Sequence, residues 1–462
     1  MLFSGVTFLY YFLPIVLLLY YVVPKKMKNI VLFVASLVFY AWGEPKYVLL
    51  MLVSICIGYG AGLLMNKLPK KPVMIVSVLL CLGFLIYFKY TNFFIDNINA
   101  VMKTQIPALN VIMPIGISFY TFQIISYILD VYYERVQRQK NILYLATYIT
   151  MFPQLIAGPI VRYADINKQL EKRSFSSEKI ADGMKRFLIG LSKKVLIANQ
   201  LGELCQVFTD SLDKTVVFYW VYAIASALHI YFDFSGYSDM AIGLGKLLGF
   251  TFMENFNYPF MSKSITEFWR RWHMSLGTWF RDYVYIPLGG NRCGAKRQIL
   301  NILVVWFLTG FWHGAQWNFI LWGAYFAFLL VVEKHWLYKK LSQSKILGHI
   351  YALFLITISF VIFNVNTIGG IAEHLKGMFF MGNNRLINAE CMYYLRSYGW
   401  ILLISLVGAT TLPKKIYQKC RQYRITDWCM VIAEPLILAG LLLLCTAYLV
   451  DGSFNPFLYF RF

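Results

Sequence analysis

The chain has 462 residues, 59% of them hydrophobic and only 14% charged, where an average soluble domain carries roughly 25% charged residues. That excludes an ordinary soluble enzyme, a disordered chain and a coiled coil. The 43 basic and 22 acidic residues leave a net charge of +21. The basic residues cluster between apolar runs, so the positive-inside rule accounts for them and nucleic-acid binding is not expected.

Taken in chain order, apolar runs such as Tyr47–Met65, Val73–Phe88 and Leu436–Val450 are long enough to cross a hydrocarbon core of ~30 Å. Their number predicts an all-α, polytopic integral membrane protein with about 11–13 membrane helices, some of them broken or re-entrant. The apolar stretch after Met1 has no basic segment before it and no small-residue cleavage site, so it reads as a retained first span. Basic clusters then alternate with the spans. They are Lys25, Lys26 and Lys28; Lys67, Lys70 and Lys71; Arg135, Arg138 and Lys140; and Arg292, Lys296 and Arg297. Lys334, Lys339, Lys340 and Lys345 follow, and then Lys414, Lys415, Lys419, Arg421 and Arg424. The intervening loops hold only Lys46, Lys103, Lys376, Arg385, Arg396 and Arg461. This pattern predicts cytoplasmic basic loops and an N-terminus outside.

Two regions break the alternation. Asn141–Val161 is apolar but contains Pro153, Gly158 and Pro159, and predicts a broken or re-entrant element. From His229 to about Tyr285 a second irregular region holds Gly236, Gly243, Gly245 and Gly249, which permit close approach of segments. Within it, Ile265, Phe268, Trp272, Leu276, Trp279 and Tyr283 recur at helical spacing and predict one amphipathic helix. Arg270, His273, Gly277 and Arg281 fall on another face. Such a helix lies at the interface or inside a funnel, and an anchor without chemistry has the same pattern. With no internal repeat and no long polar stretch, residues 1–462 read as a single membrane domain, with residues 229–335 holding the candidate active site.

The eight cysteines are scattered and form no CxxC pair, so neither a disulfide framework nor a metal site follows. Phosphate-loop, dinucleotide and HExxH signatures are absent from the sequence. Six histidines remain as candidates. His335 and His349 lie near a basic loop, and His374 lies in a polar loop. His229, His273 and His313 sit in apolar surroundings, where an ionisable group is costly and marks a functional candidate. His313, in Phe311-Trp312-His313-Gly314, lies about sixteen residues from the basic loop at Arg297, deep along a helix. A neutral imidazole there can act as a general base; it can equally pack against the tryptophans and bond a neighbouring helix. Arg270 and Arg281 are suited to the phosphates of an acyl carrier such as coenzyme A, or to lipid phosphate. In the block from His229 to Asp239, Asp233 and Asp239 require partners, and that block reads as packing. Lys193 and Lys194 read as snorkelling or paired.

Several blocks together resemble the membrane-bound O-acyltransferase (MBOAT) family, in the bacterial branch of alginate and other polysaccharide O-acetylation. They are Phe39-Tyr40-Ala41-Trp42-Gly43-Glu44-Pro45, Met113-Pro114-Ile115-Gly116-Ile117-Ser118-Phe119 and the stretch Phe152–Ile160. Further ones are Tyr231–Met240, Phe268-Trp269-Arg270-Arg271-Trp272-His273-Met274-Ser275-Leu276, Trp312-His313-Gly314 and the ending Asn455–Phe462. The resemblance implies an active site in a central tunnel joining the two membrane faces. It places the family's essential histidine at His313. The second active-site position, an Asn or Asp in many eukaryotic relatives, falls at His273. It further implies acetyl-CoA as the cytoplasmic acyl donor, met by Arg270 and Arg281, and no metal. His313 is implied as general base, with His273 polarising or orienting. The acetyl group is implied to pass to an extracytoplasmic SGNH-type acetyltransferase, which modifies an exported or cell-wall polysaccharide. The expected location is a bacterial cell membrane, in contact with membrane lipid. Two alternatives stand beside this reading: the D-alanyl transfer protein of teichoic acid modification, and a polysaccharide flippase or transporter.

Overall fold

In the computed structural model, residues 1–337, 341, 343–452 and 455 are described. Lys339, Lys340, Arg461 and the terminal block after Asn455 lie outside the described residues. Secondary structure among the described residues is helical throughout. This is the arrangement a chain rich in apolar runs must take in lipid, where each backbone polar group needs an internal partner.

Among the described residues, six helices are long and apolar enough to cross a membrane: Pro45–Leu64, Lys70–Met102, Val216–Leu247, Trp317–Leu337, Ile346–Asn364 and Ile425–Asp451. A seventh is counted if Ala389–Gly408 and Leu412–Gln422, bent by 66°, form one span. That is fewer than the expected eleven to thirteen, the other helices being shorter or more polar. Lys28–Ala41 has 14 residues, Ile117–Tyr132 has 16, and Ala295–His313 buries Gln298, Asn301, Thr309 and His313.

Two compact units make up the chain. The first comprises Met1–Phe187 and Ser238–Met253. Its core includes the aromatic cluster of Phe3, Phe8, Phe12, Phe39 and Phe152. Here the expected broken element is present. Helix Ile142–Thr150 stops at Met151, and the four-residue helix Phe152–Leu155 restarts on Pro153. Buried side chains take up the freed backbone groups, as burial without water requires. The Phe152 N–H donates to Ser36 Oγ, Gln154 Nε2 to the Tyr148 carbonyl, and the Tyr148 hydroxyl to the Val161 carbonyl. Lys28, placed by the sequence in a cytoplasmic cluster, is instead buried over the rings of Tyr20, Tyr21 and Phe175.

Leu188–Tyr237 and the described residues from Glu254 to Asn455 form the second unit. Leu201, Phe218, Phe232, Ile265, Trp306 and Phe326 belong to its hydrophobic core. Helix Val216–Leu247 runs unbroken through the block from His229 to Asp239, so the irregular region begins later than the glycines suggested. Those glycines do mark close approach: a Cβ on Gly236 would lie 2.8 Å from the Gly190 carbonyl. Both aspartates of the block have partners. Asp233 meets Lys194 at 2.6 Å, and Asp239 meets Arg186 at 2.8 Å.

The stripe from Ile265 to Tyr283 is buried at every position, but the helix is not continuous. Helix Ile265–Trp269 ends, His273 adopts a left-handed conformation (φ 43°), and Met274–Phe280 resumes before the π-helical turn Arg281–Tyr285. The period reported which side faces the core. Tertiary contacts at His273 decided where the backbone turns.

Candidate active site

The site is assembled in the second unit from segments far apart in sequence. Its first support is Glu333, fully buried at the end of span Trp317–Leu337. The Glu333 carboxylate accepts from the Ile265 and Thr266 backbone N–H groups and from the Thr266 hydroxyl. Ser264 Oγ accepts from the Glu267 N–H at 3.0 Å. A helix start leaves its first N–H groups without intrahelical partners and carries partial positive charge. Glu333 satisfies both at depth and fixes the entry to the His273 segment.

His273 lies at the left-handed residue between the two short helices, 1% exposed. Its Nδ1 lies 3.1 Å from Asn255 Oδ1. The same oxygen accepts from the Ser275 hydroxyl at 2.8 Å and from the Ser275 backbone N–H at 3.3 Å. The Asn255 carbonyl accepts from the Met274 N–H at 3.0 Å. Phe234 packs edge-on against the imidazole at 4.6 Å. Among the described residues, Nε2 of His273 is buried without a hydrogen-bond partner. Burial, and then the charge of nearby His313, hold the His273 imidazole well below the usual histidine range.

His313 is the last residue of helix Ala295–His313 and is 5% exposed. Its ring meets Trp312, Trp322 and Phe363 at 5.0, 5.1 and 5.3 Å. Two glycines set its position. A Cβ on Gly310 would fall 2.3 Å from the Phe319 carbonyl, and one on Gly323 would fall 2.5 Å from the Trp306 carbonyl. The backbones of Ala295–His313 and Trp317–Val332 thus touch where small residues let membrane helices approach. Trp312 also lies 6.2 Å from the His273 ring, so both imidazoles pack against one indole. The two candidate histidines are thus brought together around Trp312.

A cavity of about 590 Å³, within the range of small-molecule sites, has a lining that includes Trp269, Arg270, Met274, Arg281, Trp306 and Thr309 but neither histidine. Met274 follows His273 in the chain, and Thr309 precedes His313 by about one helical turn. Both candidate arginines line this cavity, but they differ. Arg281 Nε is 2.7 Å from Asp282, whereas Arg270 has no carboxylate partner among the described residues. His349 and His374 have partners of their own. His349 Nδ1 meets the Ser262 carbonyl at 3.0 Å. His374, read from sequence as a loop residue, is buried in helix Ile368–Met378 against Phe208, Tyr219 and Tyr222. Burial pushes its pKa down to about 4.

Asn255, Ser275 and Glu333 were not among the sequence candidates. Ser275 could have been suspected from its place beside His273. Asn255 and Glu333 act across 18 and 68 residues of sequence and carry no local signal.

The family model for MBOAT, membrane-bound O-acyltransferase family, matches residues 4–365. The chain belongs to that family. It is therefore an acyltransferase held in a membrane by several apolar helices. Among curated relatives, "Probable alginate O-acetylase AlgI" of Pseudomonas putida is 37% identical over the whole of both chains. "Peptidoglycan O-acetyltransferase" of Helicobacter pylori is 33% identical over 82% of this chain and 80% of its own. "Teichoic acid D-alanyltransferase" of Bacillus subtilis is 31% identical over 48% of this chain and 60% of its own.

Proposed function

We propose that this protein passes acetyl groups from cytoplasmic acetyl-CoA across a bacterial cell membrane, for O-acetylation of an exported or cell-wall polysaccharide. The observation that carries the reading is the buried pair His273 and His313, packed on Trp312, with Arg270 and Arg281 in a cavity that Met274, the residue after His273, also lines. Acyl transfer from a thioester to a hydroxyl needs a group that takes the hydroxyl proton and a site that excludes water. The histidine pair supplies the first and its aromatic surroundings the second. Arg270, with Arg281, suits the phosphates of the donor. On the far side, the acetyl group goes to a separate SGNH-type acetyltransferase that modifies the polysaccharide. The end-to-end similarity to a relative named for alginate O-acetylation favours acetyl over D-alanyl transfer.

The test is reconstitution in vesicles with labelled acetyl-CoA outside the face bearing the basic loops. Wild type is expected to label an SGNH-type partner or a soluble acceptor on the opposite face, and His313→Ala to insert normally but leave no label. Equal labelling by the variant would remove His313 from the chemistry. Absence of label from wild type, with label from a D-alanyl carrier protein, would replace acetylation by D-alanyl transfer.

A further inference from the structure

An asparagine outside every sequence motif considered above controls what His273 can do. Asn255 Oδ1 is identified as the oxygen of its amide because the Ser275 backbone N–H, which can only donate, points at it from 3.3 Å. The Ser275 hydroxyl donates to the same atom at 2.8 Å. An oxygen accepts, so the His273 Nδ1 that faces it at 3.1 Å carries the ring's proton; the Ser275 hydroxyl, 3.4 Å from Nδ1, has given its own proton to Asn255 at the shorter distance. A neutral imidazole has one N–H, and here it is spent on Asn255. Nε2 is left as a bare acceptor, buried, with no hydrogen-bond partner among the described residues. The left-handed backbone at His273 is uncommon for a residue with a Cβ and is strained. The same asparagine helps to hold it, through its carbonyl and the Met274 N–H.

We infer that Asn255 is a positioning residue, which locks His273 in the Nδ1–H tautomer and makes Nε2 a proton acceptor for the attacking hydroxyl. This rests on the acyl-transfer reading and narrows it: a polarising part for His273 would need an N–H aimed at the carbonyl, and none is left. In the step itself, the hydroxyl proton passes to Nε2 as its oxygen forms the new C–O bond to the acyl carbon. Collapse breaks the C–S bond of the thioester, and Nε2 returns the proton to the departing sulfur. Nδ1–H stays on Asn255 throughout and orients the transient imidazolium. Of the titratable groups on the surrounding elements, His313 acts on the charge of His273. Asp233 is held by Lys194 and Arg271 by Glu267, Glu254 is exposed, and Arg270 lines the cavity.

Two measurements on the full-length protein in bilayers decide the matter. The first is ¹⁵N NMR of ring-labelled histidine, with the His273 signals identified by their loss in His273→Gln. A protonated Nδ1 and a bare Nε2 are expected at neutral pH, reverting in Asn255→Leu to the Nε2–H form that free histidine prefers. An Nε2–H or doubly protonated ring in the wild type would overturn the inference, whatever acyl group the protein carries. The second is the pH–rate profile of Asn255→Asp. Neutral His273 is the active form, so activity falls as pH drops through its pKa. A carboxylate on Nδ1–H favours the imidazolium, and that acid limb is expected to move up by about one to two pH units. A lower rate with an unmoved limb would make Asn255 merely structural. Absence of acetyl transfer by wild type would defeat the acetyl reading alone, because the NMR result stands without it.

Discussion

Lys194 and Asp233 form an ion pair with both side chains 1% exposed. Removing one partner strands a charge in a medium that cannot solvate it. Lys194→Met or Asp233→Asn is expected to cost about 3–5 kcal/mol, while replacing both by apolar residues of similar volume restores most of it. Thermal unfolding in detergent micelles would read the difference. The cavity arginines separate in the same way. Arg270→Gln is expected to raise the donor KM several-fold with kcat nearly unchanged. Arg281→Gln is expected to do less, because Asp282 already offsets its charge. Initial rates against donor concentration distinguish the two. The need for partners at Asp233 and Asp239 was legible in the sequence, since a lone carboxylate in an apolar run is too costly to keep. The identity of the partners was not, because Lys194 and Arg186 sit on other helices.

At the scale of elements, the contact between Ala295–His313 and Trp317–Val332 admits nothing larger than glycine. Gly310→Val is expected to push the helices apart, displace His313 and lose most acyl transfer, with helix content by circular dichroism retained. Gly83→Ala is the matched control, as nothing lies within 4 Å of its added Cβ. The stripe Ile265–Tyr283 shows where sequence reasoning stops. Its six apolar positions were correctly read as the buried side, because burial follows the helical repeat. The turn at His273 was invisible, because the bonds that pay for it come from Asn255 and lie outside the repeat. The break at Met151 could be foreseen, since proline and glycine act on the backbone locally.

For the whole molecule, the charge pattern sets an expected orientation of the spans. We predict an N-terminus outside and the Lys67–Lys71 and Lys414–Arg421 segments inside. A membrane-impermeant thiol reagent should label a cysteine placed before Leu2 in intact cells, and label one at Lys67 only after permeabilisation. Equal labelling of both in intact cells would reverse this. The membrane class and the meeting of two histidines could be read from composition and from blocks spread along the chain. The division into two compact units could not, since contacts rather than composition define it. Lys28 marks another limit of counting charges: it belongs to a basic cluster by position and to an aromatic box by contact.

The left-handed backbone at His273 reaches beyond this one chain. Among residues with a side chain beyond the backbone, that conformation is tolerated best by asparagine, aspartate and histidine. Those are also the residues that the family resemblance places at this position. The turn therefore restricts which functional groups evolution can try there, before any selection on the reaction begins. An amide or a carboxylate placed at His273 would change the proton chemistry at a backbone angle that such residues also tolerate.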